Sequence, residues 1–262
     1  MDFLTIFLGF TLGAIVGSFL NVLILRYNTG RSLGGRSACL SCGCELSWRE
    51  LVPIFSFLWA RGRCKHCGSS ISLQYPLVEI TTGVIFAAVI YKEFLTYNLQ
   101  PTTYNLYVIC YLLFVWSLLI SVAVYDLRHK IIPNGFVWTF VAVSFANLLA
   151  MNDFSPPFWS FWAGPVLALP FALIWFLSGG RAMGLGDAKL ALGLGWMLGL
   201  ANGLTAALLS FWIGGLAGIF LLLKKGGRFT MKSEIPFAPF LVLAAFLSDF
   251  FNLDFLGLAR LL

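Results

Sequence analysis

Apolar residues in this chain come in blocks long enough to cross a bilayer, at about 3–25, 77–91, 104–125, 135–150, 159–178, 188–201, 203–223 and 236–251. A spanning helix needs roughly 17–25 residues. Inside hydrocarbon every backbone polar group must be satisfied by a helix or a closed barrel. The blocks therefore predict an all-α polytopic membrane protein with about eight transmembrane helices. Composition agrees, because only 11% of the residues are charged and 60% are hydrophobic, against roughly 25% charged in a soluble domain. The sixth and seventh blocks are divided only by the weak signal around Ala201-Asn202-Gly203. The first block lacks a basic n-region and a small-x-small site, so it reads as a retained helix rather than a signal peptide.

The charge pattern sets an orientation. All but Lys92 and Arg260 of the 17 Lys and Arg residues fall in four segments: Arg26 to Lys65, Arg128 and Lys130, Arg181 and Lys189, and Lys224 to Lys232. With eight spans these segments share one side, which the positive-inside rule makes cytoplasmic. Both termini then face outward. The net charge of +6 is explained by this topology, and the partner it implies is a lipid bilayer, not nucleic acid.

The sizeable polar stretch is 26–75, which holds five of the six cysteines. The expected organisation is a first membrane helix at 1–25, a small cytoplasmic domain at 26–75 and a membrane bundle at 76–262. Some 50 residues cannot bury a good core alone, so the insertion needs a metal or a membrane-docking surface. Cys39-x-x-Cys42 and Cys64-x-x-Cys67 supply four thiolates at zinc-ribbon-like spacing, enough to close a tetrahedral structural shell. A reducing cytoplasm argues against disulfides. Cys44 could compete with Cys42, and His66 could replace a thiolate. Cys110, in mid-span, reads as a small buried apolar residue.

Gly9, Gly13 and Gly17 recur every four residues in the first block, a spacing that lets helices approach closely. Acidic groups at the edges of spans deserve a functional reading, because their burial in hydrocarbon is costly. Asp126 directly follows the third block and Asp187 opens the sixth, in Gly184-Leu185-Gly186-Asp187-Ala188-Lys189. In the topology above both stand at the same cytoplasmic level. Two carboxylates at one depth could share a proton and act as base and acid toward a water attacking a peptide bond. The plainer alternatives are that Asp187 caps a helix beginning at Ala188 and that Asp126 marks the end of a span. Glu79 is a further candidate acid, and His129 reads as an interfacial histidine.

Taken in order, these residues resemble the prepilin peptidases, or type IV leader peptidases. The resemblance runs from Gly17-Ser18-Phe19-Leu20-Asn21-Val22 and Arg26 through the paired cysteine knuckles, with Pro53 and Arg61-Gly62-Arg63-Cys64 between them. It continues through Tyr75-Pro76-Leu77-Val78-Glu79, Asp126 with Ile132-Pro133-Asn134, and Gly184-x-Gly186-Asp187-x-Lys189. It implies a membrane aspartyl protease of the Gly-x-Gly-Asp class, with Asp126 and Asp187 catalytic and Gly184, Gly186 and Lys189 supporting them. The implied substrates are type IV prepilins or type II secretion pseudopilins with a short basic leader. Members with the long cysteine-bearing loop typically also methylate the new amino terminus with S-adenosylmethionine. The implied cofactors are therefore structural zinc and that methyl donor, whose contacts the sequence does not assign. An ion-coupled transporter and a non-catalytic zinc-bearing assembly protein are the rival readings. The first predicts ion flux, and the second predicts indifference to loss of either aspartate.

Overall fold

The apolar blocks fold as helices. The computed structural model describes residues 3–30, 32, 34–97, 103–223, 235–255 and 257. The basic segment Lys224 to Lys232 falls outside the described residues. The helices are α1 (Phe3–Arg26), α2 (Phe55–Trp59), α3 (Gln74–Tyr97), α4 (Thr103–His129), α5 (Asn134–Met151), α6 (Phe158–Ser178), α7 (Leu185–Leu223) and α8 (Ala238–Phe251). Among the described residues there are no strands, only the isolated bridges Ala38–Glu45 and Arg63–Ser70. Five helices, α1, α4, α5, α6 and α7, are long and apolar enough to cross a membrane. Helix α3 is as long as α1 but carries Glu79, Lys92 and Glu93, and α8 is a shorter apolar helix.

Helix α7 is two helices. Its Gly199 has φ 76° and ψ 175°, outside helical space, a conformation open to glycine for want of a Cβ. A Cβ on Gly203 would come 3.8 Å from the Cα of Gly195, whereas eight residues of straight helix span about 12 Å. The chain therefore doubles back, and every predicted block has its own helical segment. The break comes two residues before the predicted Ala201-Asn202-Gly203, because Gly199 can take the reversing backbone geometry.

The chain divides into two compact units, Met1–Ser117 and Leu118–Leu262, with the division inside α4. In the first unit α1 packs on α3 through the predicted glycine face. A Cβ on Gly13 would sit 2.8 Å from the Cα of Gly83, and one on Gly17 would sit 2.8 Å from the Cα of Glu79. Only hydrogen fits at these crossings. Asn21, fully buried, donates to the carbonyls of Gly17 and Tyr75 at 3.2 Å each. The seam is thereby polar at the end nearest the cysteine insertion.

In the second unit α7 packs against α5, α6 and α8. Trp196 Nε1 donates to the Phe161 carbonyl at 2.9 Å, and a Cβ on Gly195 would lie 2.6 Å from the Cα of Gly164. Phe171, Phe211 and Phe237 form an aromatic cluster with centroids 5.1 to 6.1 Å apart. That cluster fixes where α8 begins. Cys110 is exposed on α4 rather than buried: the side chain is small and apolar enough to face either lipid or protein.

Candidate functional site

Both aspartates belong to the second unit, where the tertiary fold buries them. Helix α4 runs past Asp126 to His129, so Asp126 stands in its last turns instead of following its end. Arg128 favours that extension, because a cation suits a helix C-terminus. The His129 ring stacks near Tyr125, centroids 4.2 Å apart. Helix α7 begins at Leu185, so Asp187 is its third residue and not its N-cap. A carboxylate in that first turn faces the positive end of the helix dipole.

Asp126 and Asp187 are only 5% and 7% exposed. Asp126 Oδ2 accepts from the backbone N–H of Ala238 at 3.1 Å. Ala238 opens α8, whose own N-cap position, Phe237, offers no side-chain acceptor. Asp126 therefore supplies from α4 an acceptor that α8 lacks. Asp187 Oδ1 is buried with no hydrogen-bond partner among the described residues. Neither carboxylate has a cation partner within ion-pair distance among the described residues, and Gly186, next to Asp187, packs on Ile132 in the turn after α4. The fold thus brings together two buried acids that are 61 residues apart in sequence, and one of them keeps an oxygen unengaged.

The neighbours predicted to support them divide the task. A Cβ on Gly186 would lie 2.8 Å from the Cβ of Ile132, whereas one on Gly184 would meet nothing closer than Asp187 Oδ2 at 3.7 Å. Gly186 is a packing glycine that seats the α4–α5 turn against α7, whereas Gly184 is exposed and a Cβ there would meet the Asp187 carboxyl only at van der Waals distance. Lys189 reaches neither aspartate. Its Nζ donates to Asn134 Oδ1 at 2.9 Å and stands 5.5 Å from the centre of the Trp138 ring, which ties α7 to α5. Gly186→Ala is expected to destabilise the protein by about 1–3 kcal/mol through overpacking. Gly184→Ala should stay within about 0.5 kcal/mol of the parent. Thermal unfolding of the two purified variants in one detergent checks the contrast, and equal melting temperatures would refute it.

The cysteine insertion builds two matching knuckles. Cys39 N–H donates to Cys44 O and Gly43 N–H to Cys39 O, each at 2.9 Å. Cys64 N–H donates to Ser69 O at 2.8 Å and Gly68 N–H to Cys64 O at 2.9 Å. Gly43 and Gly68 have nearly the same positive φ, 71° and 70°. Cys44 is therefore the counterpart of Ser69. The Sγ atoms of Cys39, Cys42, Cys64 and Cys67 lie within 4.8 Å of one another, a group that could hold a metal ion and includes neither Cys44 nor His66. Zn–S bonds of roughly 2.3 Å in a tetrahedron imply sulfur separations of roughly 3.8 Å, and Cys39 and Cys67 are 3.9 Å apart.

Backbone N–H groups of Cys42 and Ser41 and the Ser69 hydroxyl draw the Cys39 thiol down to about 6. The Cys44 N–H favours a thiolate at Cys42. Desolvation and hydrogen bonds with Cys39, Cys67 and Cys64 outweigh it and push Cys42 up to about 12. The group thus offers a ready thiolate at Cys39 and, at Cys42, a proton that a cation would displace, so the donor set fits a metal. Glu79, the further candidate acid, belongs to this unit. It is 6% exposed, and its Oε2 accepts from Ile54 N–H at 2.6 Å, which pins the insertion to α3. Two contacts had no sequence signal: the Ala238 donor to Asp126 and the Glu79 acceptor for Ile54. Pro236 and Pro239 announce a helix start near Ala238, but nothing local points to Asp126.

Sequence comparison gives matches over most of the chain. Residues 11–93 match the bacterial peptidase A24 N-terminal domain, and residues 111–219 match the type IV leader peptidase family. A prepilin leader peptidase/N-methyltransferase of Myxococcus xanthus is 35% identical over 224 residues, covering 83% of this chain and 63% of the relative. The protein of the same name from Bacillus subtilis is 34% identical over 235 residues, 88% of each chain. That from Pseudomonas aeruginosa is 28% identical over 265 residues, 90% of this chain and 87% of its own. No solved structure matches significantly.

Proposed function

Because this chain belongs to the type IV leader peptidase family, we propose that it is a multi-pass inner-membrane aspartyl endopeptidase that removes the leader of prepilin-type substrates. The observation that carries the assignment of residues is the buried pair Asp126 and Asp187, without a cation partner among the described residues, at the place where Gly186 packs on Ile132. Two such carboxyls share one proton. The ionised partner takes a proton from a water, whose oxygen attacks the scissile carbonyl. The protonated partner donates to the carbonyl oxygen, and the tetrahedral intermediate collapses with proton return to the leaving amine. No covalent enzyme intermediate forms. The Asp126 contact to the α8 N-terminus holds one carboxyl in place, the free Oδ1 of Asp187 is placed to engage the water, and the space beside Gly184 admits an extended peptide. Arg128, Lys130, Arg181 and Lys189 flank the two aspartates in sequence, which supports a site at the cytoplasmic face.

The second proposed activity is methylation of the new amino terminus, with zinc holding the insertion in shape through Cys39, Cys42, Cys64 and Cys67. A cavity of about 580 Å³ beside the first knuckle is lined by Arg36 and Trp48. An indole suits a purine, so Trp48 fits the adenine of S-adenosylmethionine, while the Arg36 guanidinium is paired with Glu45 at 3.0 Å. When bound, that compound supplies an electrophilic methyl group to an amine. Family membership favours this reading over the transporter and assembly readings. The test is purified enzyme with a prepilin-like substrate, with and without S-adenosylmethionine, followed by mass spectrometry of the product amino terminus. Cleavage after the leader glycine with an added methyl mass is expected. No cleavage of several such substrates by folded enzyme would overturn the protease.

A further inference from the structure

The cysteine insertion keeps a large part of its apolar surface outside. Val52, Phe55, Leu58 and Trp59 are 37%, 67%, 64% and 85% exposed. Phe55, Leu58 and Trp59 stand at helical spacing within α2, so they share one of its faces. Phe57 points the other way, onto Gly62, where a Cβ would meet its ring at 3.1 Å. Helix α2 therefore has an apolar side turned inward and a second apolar side turned outward, which a segment surrounded by water would not keep.

Two contacts fix where that outer face lies. Ile54, the N-cap of α2, donates to the buried Glu79 in the second turn of α3. Leu51 and Pro53 share a cavity of about 300 Å³ with Ile15, Ser18, Phe19 and Val22 of α1. Ile15 stands 11 residues before the end of α1 at Arg26, about 16 Å along the helix axis. Residues 51–53 thus lie beside the apolar part of α1, where its own Ile15 and Phe19 are more than half exposed. With Arg26 at the headgroups, a segment held beside Ile15 to Val22 lies roughly 6–16 Å along α1 inside the bilayer, and not in water. Arg49, Arg61, Arg63 and Lys65 flank the apolar face in sequence, and their charge complements anionic headgroups.

We propose that the Val52–Trp59 face of the insertion is seated in the headgroup–acyl boundary of an anionic bilayer, on the side where α1 ends and α3 begins. The insertion is then a membrane-docked platform with its metal knuckles held against the lipid, and not a domain free in the aqueous phase. Lipid, rather than a second copy of the chain, is the occupant, because the apolar face continues from the spanning surface of α1 and is flanked by cations. The proposal does not depend on the peptidase assignment.

The test uses full-length protein in nanodiscs containing phospholipids brominated just below the headgroup. The contribution of Trp59 is taken as the difference between wild type and Trp59→Phe. Bromolipid is expected to reduce that contribution by roughly twofold or more, as for a side chain buried some 5–10 Å into the boundary. Adding phosphatidylglycerol to phosphatidylcholine should deepen the quenching. The double variant Phe55→Ser, Leu58→Ser should restore access of Trp59 to aqueous iodide, while metal content and substrate cleavage are retained. Three results would overturn the proposal: Trp59 quenched by iodide and not by bromolipid in the wild type, quenching independent of anionic lipid, or protection that appears only as protein concentration rises, which would mean a second copy covers the face.

Discussion

Asp126→Asn and Asp187→Asn are each expected to lower the rate of leader cleavage by roughly 100- to 10,000-fold, the range of a lost general acid or base. The amide keeps the shape of the carboxyl but can neither take a proton from water nor share one with its partner. Asparagine is the right probe at position 126, because its Oδ1 can still accept from the Ala238 N–H that Asp126 now engages. Asp126→Ala would also deprive the start of α8 of its acceptor, at about 0.5–2 kcal/mol for a lost cap. At position 187 the unengaged Oδ1 means that substitution breaks no bond of that oxygen, so the loss should be chemical and not structural. Because the pair works as a unit, the double variant should be no slower than the slower single one. Single-turnover cleavage of a prepilin-like substrate by variants with parental melting temperatures measures this. Near-normal cleavage by either single variant would remove the dyad from the mechanism.

Cys64→Ser should have the second largest effect, through folding rather than catalysis. Cys64 is the buried member of the four-thiol group. Structural zinc sites contribute roughly 10–16 kcal/mol of binding free energy, more than a short insertion could gain from its own core. The purified parent is expected to carry about one zinc per chain, measured by elemental analysis, and the variant to carry little. Residues 34–73 should then become open to protease, while the helices keep their circular dichroism and Asp126 and Asp187 remain able to cleave. Methylation should fall with the metal. Cys44→Ser should retain the zinc, since Cys44 occupies the place that Ser69 fills in the other knuckle. An unchanged, protease-resistant insertion in Cys64→Ser would disprove the structural role.

The helices were legible because hydrocarbon imposes one strong rule on sequence. Long apolar blocks must be helical, and Gly9, Gly13 and Gly17 at four-residue spacing mark a face that another helix can approach. The paired cysteine knuckles were legible for a similar reason, since two Cys-x-x-Cys turns at this spacing can bring four thiolates together. Helix ends were less so. Asp126 and Asp187 both fall inside helices that run further than the apolar pattern suggested, because residues such as the charged Arg128 and the small Gly186 continue a helix whose next turns are satisfied by tertiary contacts. The turn in α7 was expected at Ala201-Asn202-Gly203. Gly199 took it instead, and several potential breakers within five residues cannot be ranked without knowing which geometry lets Gly203 meet Gly195.

By itself the sequence determined the solvent, the helical class, the paired cysteine knuckles and the two acids worth watching, because each follows from residue type and spacing along one chain. Only the tertiary structure decided that Asp126 caps α8, that Gly186 seats Ile132 while Gly184 stays open, and that Lys189 holds Asn134 and not an aspartate. Those outcomes depend on how each helix is rotated about its axis and where it crosses its neighbours. Rotation and crossing are set by the summed packing of many side chains, and no local pattern encodes that sum.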